Sequence, residues 1–161
     1  MTSFRVYAST VAIFAVVLFV ALVIGVFGQI TLWTGAEVIP ERGAGLLLGT
    51  GMVTVSALIM LASMLLRGLR VPPAEQRVGI GMAILTGLLS LLGYVLVGSI
   101  AFGASHDGLA SLVVFAGRNV ISPFALSVGL ISAIVTFFYT LVLASRVGRG
   151  GAPRWPWDHG D

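Results

Sequence analysis

The chain is 161 residues long, 58% hydrophobic and only 9% charged, with a formal net charge of +3. A soluble domain carries about 25% charged residues, and so short a chain has no core large enough to bury this much apolar surface. There is no Cys, which excludes disulfides, thiolate metal ligands, iron–sulfur clusters and dithiol redox chemistry.

Four stretches free of charged side chains run from Arg5 to Glu37, Arg42 to Arg67, Arg77 to His106 and Arg118 to Arg146. Each exceeds the about 20 apolar residues that a helix needs to cross a bilayer. The pattern predicts an all-α integral membrane bundle of four transmembrane helices, with one membrane domain over 1–149 and a flexible cytoplasmic tail over 150–161.

The first span is expected over 6–28, followed by an outer loop. A cleaved signal peptide is the rival for this segment, but its apolar core would be about 7–15 residues before a small-residue cleavage site. Here the apolar run is longer and ends in Val26-Phe27-Gly28-Gln29-Ile30, so a retained span is expected. Ala21 and Gly25 supply its small-residue row. The chain opens Met1-Thr2 and has no Cys, so no lipid anchor is expected.

The second span is expected over 44–66 and opens with a GxxxG, Gly45 to Gly49. Pro72-Pro73 stops it and precedes a fresh helix start at Ala74 or Glu75. The third span, 76–102, carries Gly79, Ala83 and Gly87 at spacing four. The fourth, 123–144, repeats that spacing with Ala125, Gly129 and Ala133. Lipid gives no hydrophobic push between helices, so such rows, which let backbones approach closely, predict tight antiparallel packing of consecutive spans. Ser122-Pro123 sets a capping hydroxyl before a Pro at the first helical position of the last span.

Polar residues inside the spans are mild. Thr86, Ser90 and Tyr94 share one face of the third span at spacing four and are expected to join it to a neighbour; a polar path is the sharper alternative. Intramembrane ionisable groups mark proton relays and charged-substrate sites, and none is expected within a span. That argues against proton-driven antiport, haem ligation and intramembrane proteolysis, and no catalytic, cofactor-binding or metal-binding residue is expected. His106 and His159 fall in a loop and in the tail. Glu37, Glu41 and Arg42 near the first outer loop form at most an exposed ion pair, of small energy.

Between the last two spans, Leu109 to Gly117 is too short to cross and too apolar to float in water. A short interfacial helix or a re-entrant piece is expected there. In the tail, Trp155 and Trp157 flank Pro156 and are the candidate anchors, to the headgroup layer or to a partner.

Orientation follows from the nine basic residues, all Arg. Arg5, Arg67, Arg70, Arg77, Arg146, Arg149 and Arg154 fall on one side, Arg42 and Arg118 on the other. Seven against two predicts that both termini are cytoplasmic. The expected partners are the lipid bilayer and either another membrane protein or further copies of this chain, not nucleic acid.

The four spans, the loop from Phe27 to Ile39, Ser122-Pro123-Phe124 and the closing Pro153-Arg154-Trp155-Pro156-Trp157 together resemble a family of small four-span actinobacterial membrane proteins of unknown function. The resemblance covers the whole chain and implies a plasma-membrane location, no assigned activity and no transferable functional residues. The expected role is a non-catalytic accessory or stabilising membrane subunit. A small homo-oligomeric channel or transporter for an uncharged or weakly polar solute is the alternative.

Overall fold

The computed structural model describes residues 2–35, 47–105, 109–147, 153 and 155–157. Among these the fold is all-α, and four of its helices are long and apolar enough to cross a membrane. They are α1 (Thr2–Thr34), α2 (Leu47–Arg70), α3 (Ile80–Ser105) and α5 (Pro123–Val147); a shorter α4 (Leu109–Val120) lies between the last two.

Helix boundaries differ from the sequence expectation wherever polar residues are compatible with a helix. α1 continues through Gln29 to Thr34, so the loop expected to begin at Phe27 is helical as far as Thr34. No Pro interrupts this stretch, and the Thr34 hydroxyl returns a 2.7 Å bond to the Ile30 carbonyl. Gly35 ends the helix in the left-handed conformation, φ 65°, with its N–H 2.9 Å from the Thr31 carbonyl. Only a residue without Cβ adopts that conformation at no steric cost.

α2 runs four residues past its expected end, to Arg70, and so contains Arg67. The expected span of 44–66 itself holds no ionisable group; it is the helix that runs past it, as α1 and α5 run past theirs to take in Arg5 and Arg146. The helix propagates through Gly68, and Val71 N–H still bonds the Arg67 carbonyl at 3.0 Å. Beyond the prolines, Pro73–Glu75 makes a single 3₁₀ turn, and α3 begins at Ile80 rather than at 76. Gln76 closes the corner by donating from Nε2 to the Val71 carbonyl at 3.0 Å. α5 starts at Pro123, as the Ser122-Pro123 pair predicts, with Ser122 Oγ accepting from Ala125 N–H at 3.1 Å.

The long helices form a ring. α1 packs on α2 and α5, while α3 packs on α2 and, most extensively, on α5. Near one end Tyr139 of α5 meets Ala8 of α1 and Met64 of α2. Towards the other, Phe27 of α1 sets its ring edge to face against Tyr94 of α3 and Phe124 of α5. These meetings make ring neighbours antiparallel.

The core contains Phe19, Met60, Met64, Val128 and Leu143. On α2 it is fed by a row at spacing four, Met52, Ser56, Met60, Met64 and Gly68, all buried. The outside is apolar too, with Phe14, Leu18, Leu88, Leu92, Leu96, Leu130 and Phe138 all more than half exposed except for borderline Leu92. Apolar patches of this extent are uncharacteristic of soluble monomers.

Candidate functional site

The polar residues inside the bundle lie where three helices meet. Ser56 of α2 donates to the Ser90 carbonyl of α3 at 2.9 Å. The Ser90 hydroxyl lies 2.8 Å from that of Ser132 on α5. All three serines are fully buried. A buried hydroxyl is costly unless it is paired, and here each pairs with a neighbouring helix, so the pairs tie elements together.

Small residues beside this clasp bring the backbones close. A Cβ placed on Gly87 would lie 2.7 Å from the Gly129 carbonyl oxygen and 2.8 Å from Ala133 Cβ. One placed on Gly129 would lie 3.1 Å from Leu91 Cβ. Ala83 and Ala125 are buried along the same helices, so five of the six small residues expected to pack α3 and α5 do lie within those helices. Gly79 is the exception. It precedes α3, and its missing side chain leaves room for the Arg67 guanidinium, whose Nη1 would be 2.6 Å from a Cβ there.

On α2, Gly49 is half-buried in the first turn, and Gly45 lies outside the described residues. The row expected on α1 faces outward: Ala21 and Gly25 are both exposed. Gly93, which continues the small-residue row of the third span, sits in a close contact too, since a Cβ there would collide with Ile59. Two further glycines sit in close contacts that motif reading passes over: a Cβ on Gly68 would meet Tyr139 and Ala8, and one on Gly98 would meet Met52 and Phe115.

A second polar group lies near the Arg67 end. Half-buried Arg67 donates from Nη2 to the Arg77 carbonyl at 2.5 Å and from Nη1 towards Met82 Sδ at 3.6 Å. Gly79 N–H donates to Thr140 Oγ1 at 3.1 Å. Arg67 Nε, Gln76 Oε1, Tyr94 Oη and Thr136 Oγ1 are buried without a hydrogen-bond partner among the described residues.

At the other end, α4 fulfils the expectation of a short helix. Its 12 residues span about 18 Å at 1.5 Å per residue, too little to cross a bilayer. Buried Phe115 stacks on Phe102 of α3, centroids 4.7 Å apart. Leu112 lies over Gly103, where an added Cβ would be 3.1 Å away. Val113 and Val114 face outward.

The described part of the tail lies against the α2–α3 corner. Arg77 Nη1 donates to the Pro156 carbonyl at 3.1 Å, and the rings of Trp155 and Trp157 stack 5.2 Å apart at 10°. Nearby along the same end, Arg146 of α5 places its guanidinium 4.1 Å above the Tyr7 ring of α1.

The described residues contain no group of three or more His, Cys, Asp or Glu able to hold a metal ion. His106, Asp107 and His159 lie outside them, as do Glu37, Glu41 and Arg42.

A family model described as a family of unknown function (DUF6121) matches residues 1–161. The chain belongs to that family. The match covers the entire chain and assigns DUF6121 no activity. No curated protein and no solved structure matches.

Of the hydroxyl face expected on α3, Ser90 joins neighbouring helices, whereas Tyr94 Oη has no hydrogen-bond partner among the described residues; the α3–α5 glycine contact follows the spacing-four rows. The sequence did not announce Ser56 as the third member of the clasp. The usable signal was the spacing-four row on α2, which places Ser56 between Met52 and Met60. Arg67 could have been found from the same row, because Gly68 continues it past the charge.

Proposed function

We propose that this member of DUF6121 is a non-catalytic integral membrane protein whose α1 packs against a helix of a second membrane protein. On this reading it is an accessory or stabilising subunit of the plasma membrane with both termini cytoplasmic. The observation that carries it is the outer face of α1. Phe14, Leu18, Ala21, Gly25, Gly28 and Leu32 recur at alternating spacings of four and three, and all are exposed. A Cβ added at Gly25 or Gly28 would meet nothing within 4 Å.

Spacing of this kind is the seam of a left-handed helix pair. Small residues in its middle admit a close neighbour, which is how helices associate without a hydrophobic drive. The same glycines make a poor surface towards lipid alone, since they offer little side chain to pack. Of the four long helices, α1 is the least buried within the bundle.

Other features support the membrane setting. Its 33 residues make α1 about 50 Å long at 1.5 Å per residue, more than the ~30 Å hydrocarbon core requires. Trp33 is 85% exposed near the end of α1, and Trp157 is 61% exposed at the opposite end of the bundle. Tryptophans flanking both ends suit two headgroup layers. Arg5, Arg67, Arg70, Arg77 and Arg146 share the end where α1 begins and α5 ends, which favours a cytoplasmic position for that end. The Arg-only basic set and 21 glycines fit an actinobacterial source. The non-catalytic part of the reading rests on the sequence, which has no Cys and keeps both His outside the apolar stretches.

The test is purification of the tagged chain from its native membrane in mild detergent, with mass spectrometry of what accompanies it. One stoichiometric membrane protein is expected, and it should be lost when Gly25 and Gly28 are both changed to Leu. A homo-oligomer without any partner would overturn the accessory role.

One observation favours the second reading, a small homo-oligomeric channel or transporter for an uncharged solute. Tyr94 and Thr136 carry buried hydroxyls without partners among the described residues, and such groups could serve a passing polar solute. Flux of small neutral solutes into liposomes containing the purified chain tests that reading.

A further inference from the structure

Two hollows meet at Arg70, one basic and one apolar. The first is a notch of about 90 Å³ between the first turns of α1 and the end of α2, lined by Phe4, Arg5, Gly68, Arg70 and the Pro72-Pro73 corner. The second is an open groove of about 290 Å³ along α2, lined by Ala62, Leu65, Leu66, Leu69 and Arg70. Leu69 and Arg70 line both, so the notch and the groove are neighbours along the end of α2.

Among the described residues, no acidic side chain lines the notch. Arg5 and Arg70 are exposed, and neither guanidinium has an ion pair or hydrogen bond among the described residues. Two like charges held at one notch repel each other until an anion lies between them. The first turn of α1 brings positive potential and the last turn of α2 brings negative, so the helix ends offset each other and the two guanidiniums carry the charge of the notch.

We propose that this surface binds one anionic phospholipid, with its phosphate between Arg5 and Arg70 and an acyl chain along Leu69, Leu66 and Leu65. Guanidinium groups hold phosphate oxygens in a two-pronged geometry that an ammonium does not offer. A free phosphate would fill the notch and leave the adjoining apolar groove without purpose; a lipid uses both. A zwitterionic lipid carries the same phosphate, but it also brings a cation to a site that already holds two. The inference rests on the membrane-spanning reading and not on the partner proposed for α1.

The test is native mass spectrometry of the full chain released from detergent micelles. The probes are palmitoyl-oleoyl phosphatidylglycerol, the matching phosphatidylcholine, and inorganic phosphate as competitor. One phosphatidylglycerol retained per chain in preference to phosphatidylcholine is expected. Arg5→Gln and Arg70→Gln should each weaken retention about fivefold, the effect of one basic residue at an anionic surface. Leu69→Ser should weaken it as well, through the groove. Arg118→Gln removes the same charge at the opposite end of the bundle and should leave retention unchanged.

Equal retention of the two lipids would overturn the proposal, as would an Arg118→Gln effect matching that of Arg70→Gln. Displacement of the lipid by inorganic phosphate would reassign the notch to a soluble anion. Loss of lipid selectivity alongside an intact co-purifying partner would sink this inference alone and leave the accessory role standing.

Discussion

The hydroxyls of Ser90 and Ser132 lie 2.8 Å apart across the α3–α5 contact, and Ser90 also receives the Ser56 hydroxyl on its carbonyl. Each serine contributes through the others, so their substitution energies should not add. Ser90→Ala and Ser132→Ala are each expected to cost roughly 0.6–1.7 kcal/mol, the range of hydrogen bonds between membrane helices. The double variant should cost little more than either one alone. Unfolding titrations of the four proteins in bicelles check this, and strictly additive energies would mean that the two hydroxyls do not interact.

Gly87 sets the distance at which that clasp closes. Even Gly87→Ala places a Cβ 2.7 Å from a carbonyl oxygen of the facing backbone, which no rotamer change relieves. A loss of about 1–3 kcal/mol is expected, as for overpacked cores. Gly25→Ala is the internal comparison, since its Cβ meets nothing within 4 Å; it should stay within about 0.5 kcal/mol of the parent. Equal effects at the two positions would contradict the observed difference in their surroundings.

The same contrast shows how far the sequence could be read. Four charge-free stretches determine the four long helices, because each is longer than a bilayer requires. The start of α5 was also legible, since a serine before a proline caps a helix by purely local chemistry. Ends that depend on competition were not. Gln29 to Thr34 are polar enough to look like loop, yet they continue α1 because nothing in them breaks a helix. Gly79 has the right spacing for a helix row, but it serves Arg67, a residue twelve positions earlier whose side chain crosses the α2–α3 corner. Spacing alone places Ala21 and Gly25 on one face of α1 without saying whether that face turns inward. The Ser56–Ser90–Ser132 clasp joins three helices, and its geometry exists only once all three are packed.

Gly68 and Tyr139 offer a prediction with a sign change. The Tyr139 hydroxyl donates to the Met64 carbonyl at 3.0 Å and lies 3.4 Å from that of Ala8. A Cβ on Gly68 would sit 2.5 Å from that same oxygen. Gly68→Ala should therefore be destabilising by about 1–3 kcal/mol. Tyr139→Phe alone should cost roughly 1 kcal/mol through its lost hydrogen bonds. Combined with Gly68→Ala, it should recover part of the stability, because the colliding oxygen is gone. The rescue should be incomplete, since Ala8 Cβ remains 2.9 Å from the new methyl group. Thermal unfolding of the single and double variants in one detergent measures the coupling, and a double variant weaker than both singles would refute it.

The tail tests whether Arg77 anchors the tryptophan pair. Its Nη1 bonds the Pro156 carbonyl at 3.1 Å from an exposed position. One such bond contributes about 0.5–1.5 kcal/mol, enough to raise the undocked population severalfold without disturbing the bundle. Arg77→Ala, made in a Trp33→Phe background so that only Trp155 and Trp157 emit, is expected to increase acrylamide quenching. Helix content should be unchanged, and unfolding should move by less than about 0.5 kcal/mol, because no core contact is removed. The ring stack itself should survive, since it spans a single proline and does not involve Arg77. Unchanged quenching would show that half-buried Trp155, through its other contacts, holds the tail in place. In that case Arg77 would act only on Arg67, through the carbonyl that accepts the Arg67 guanidinium.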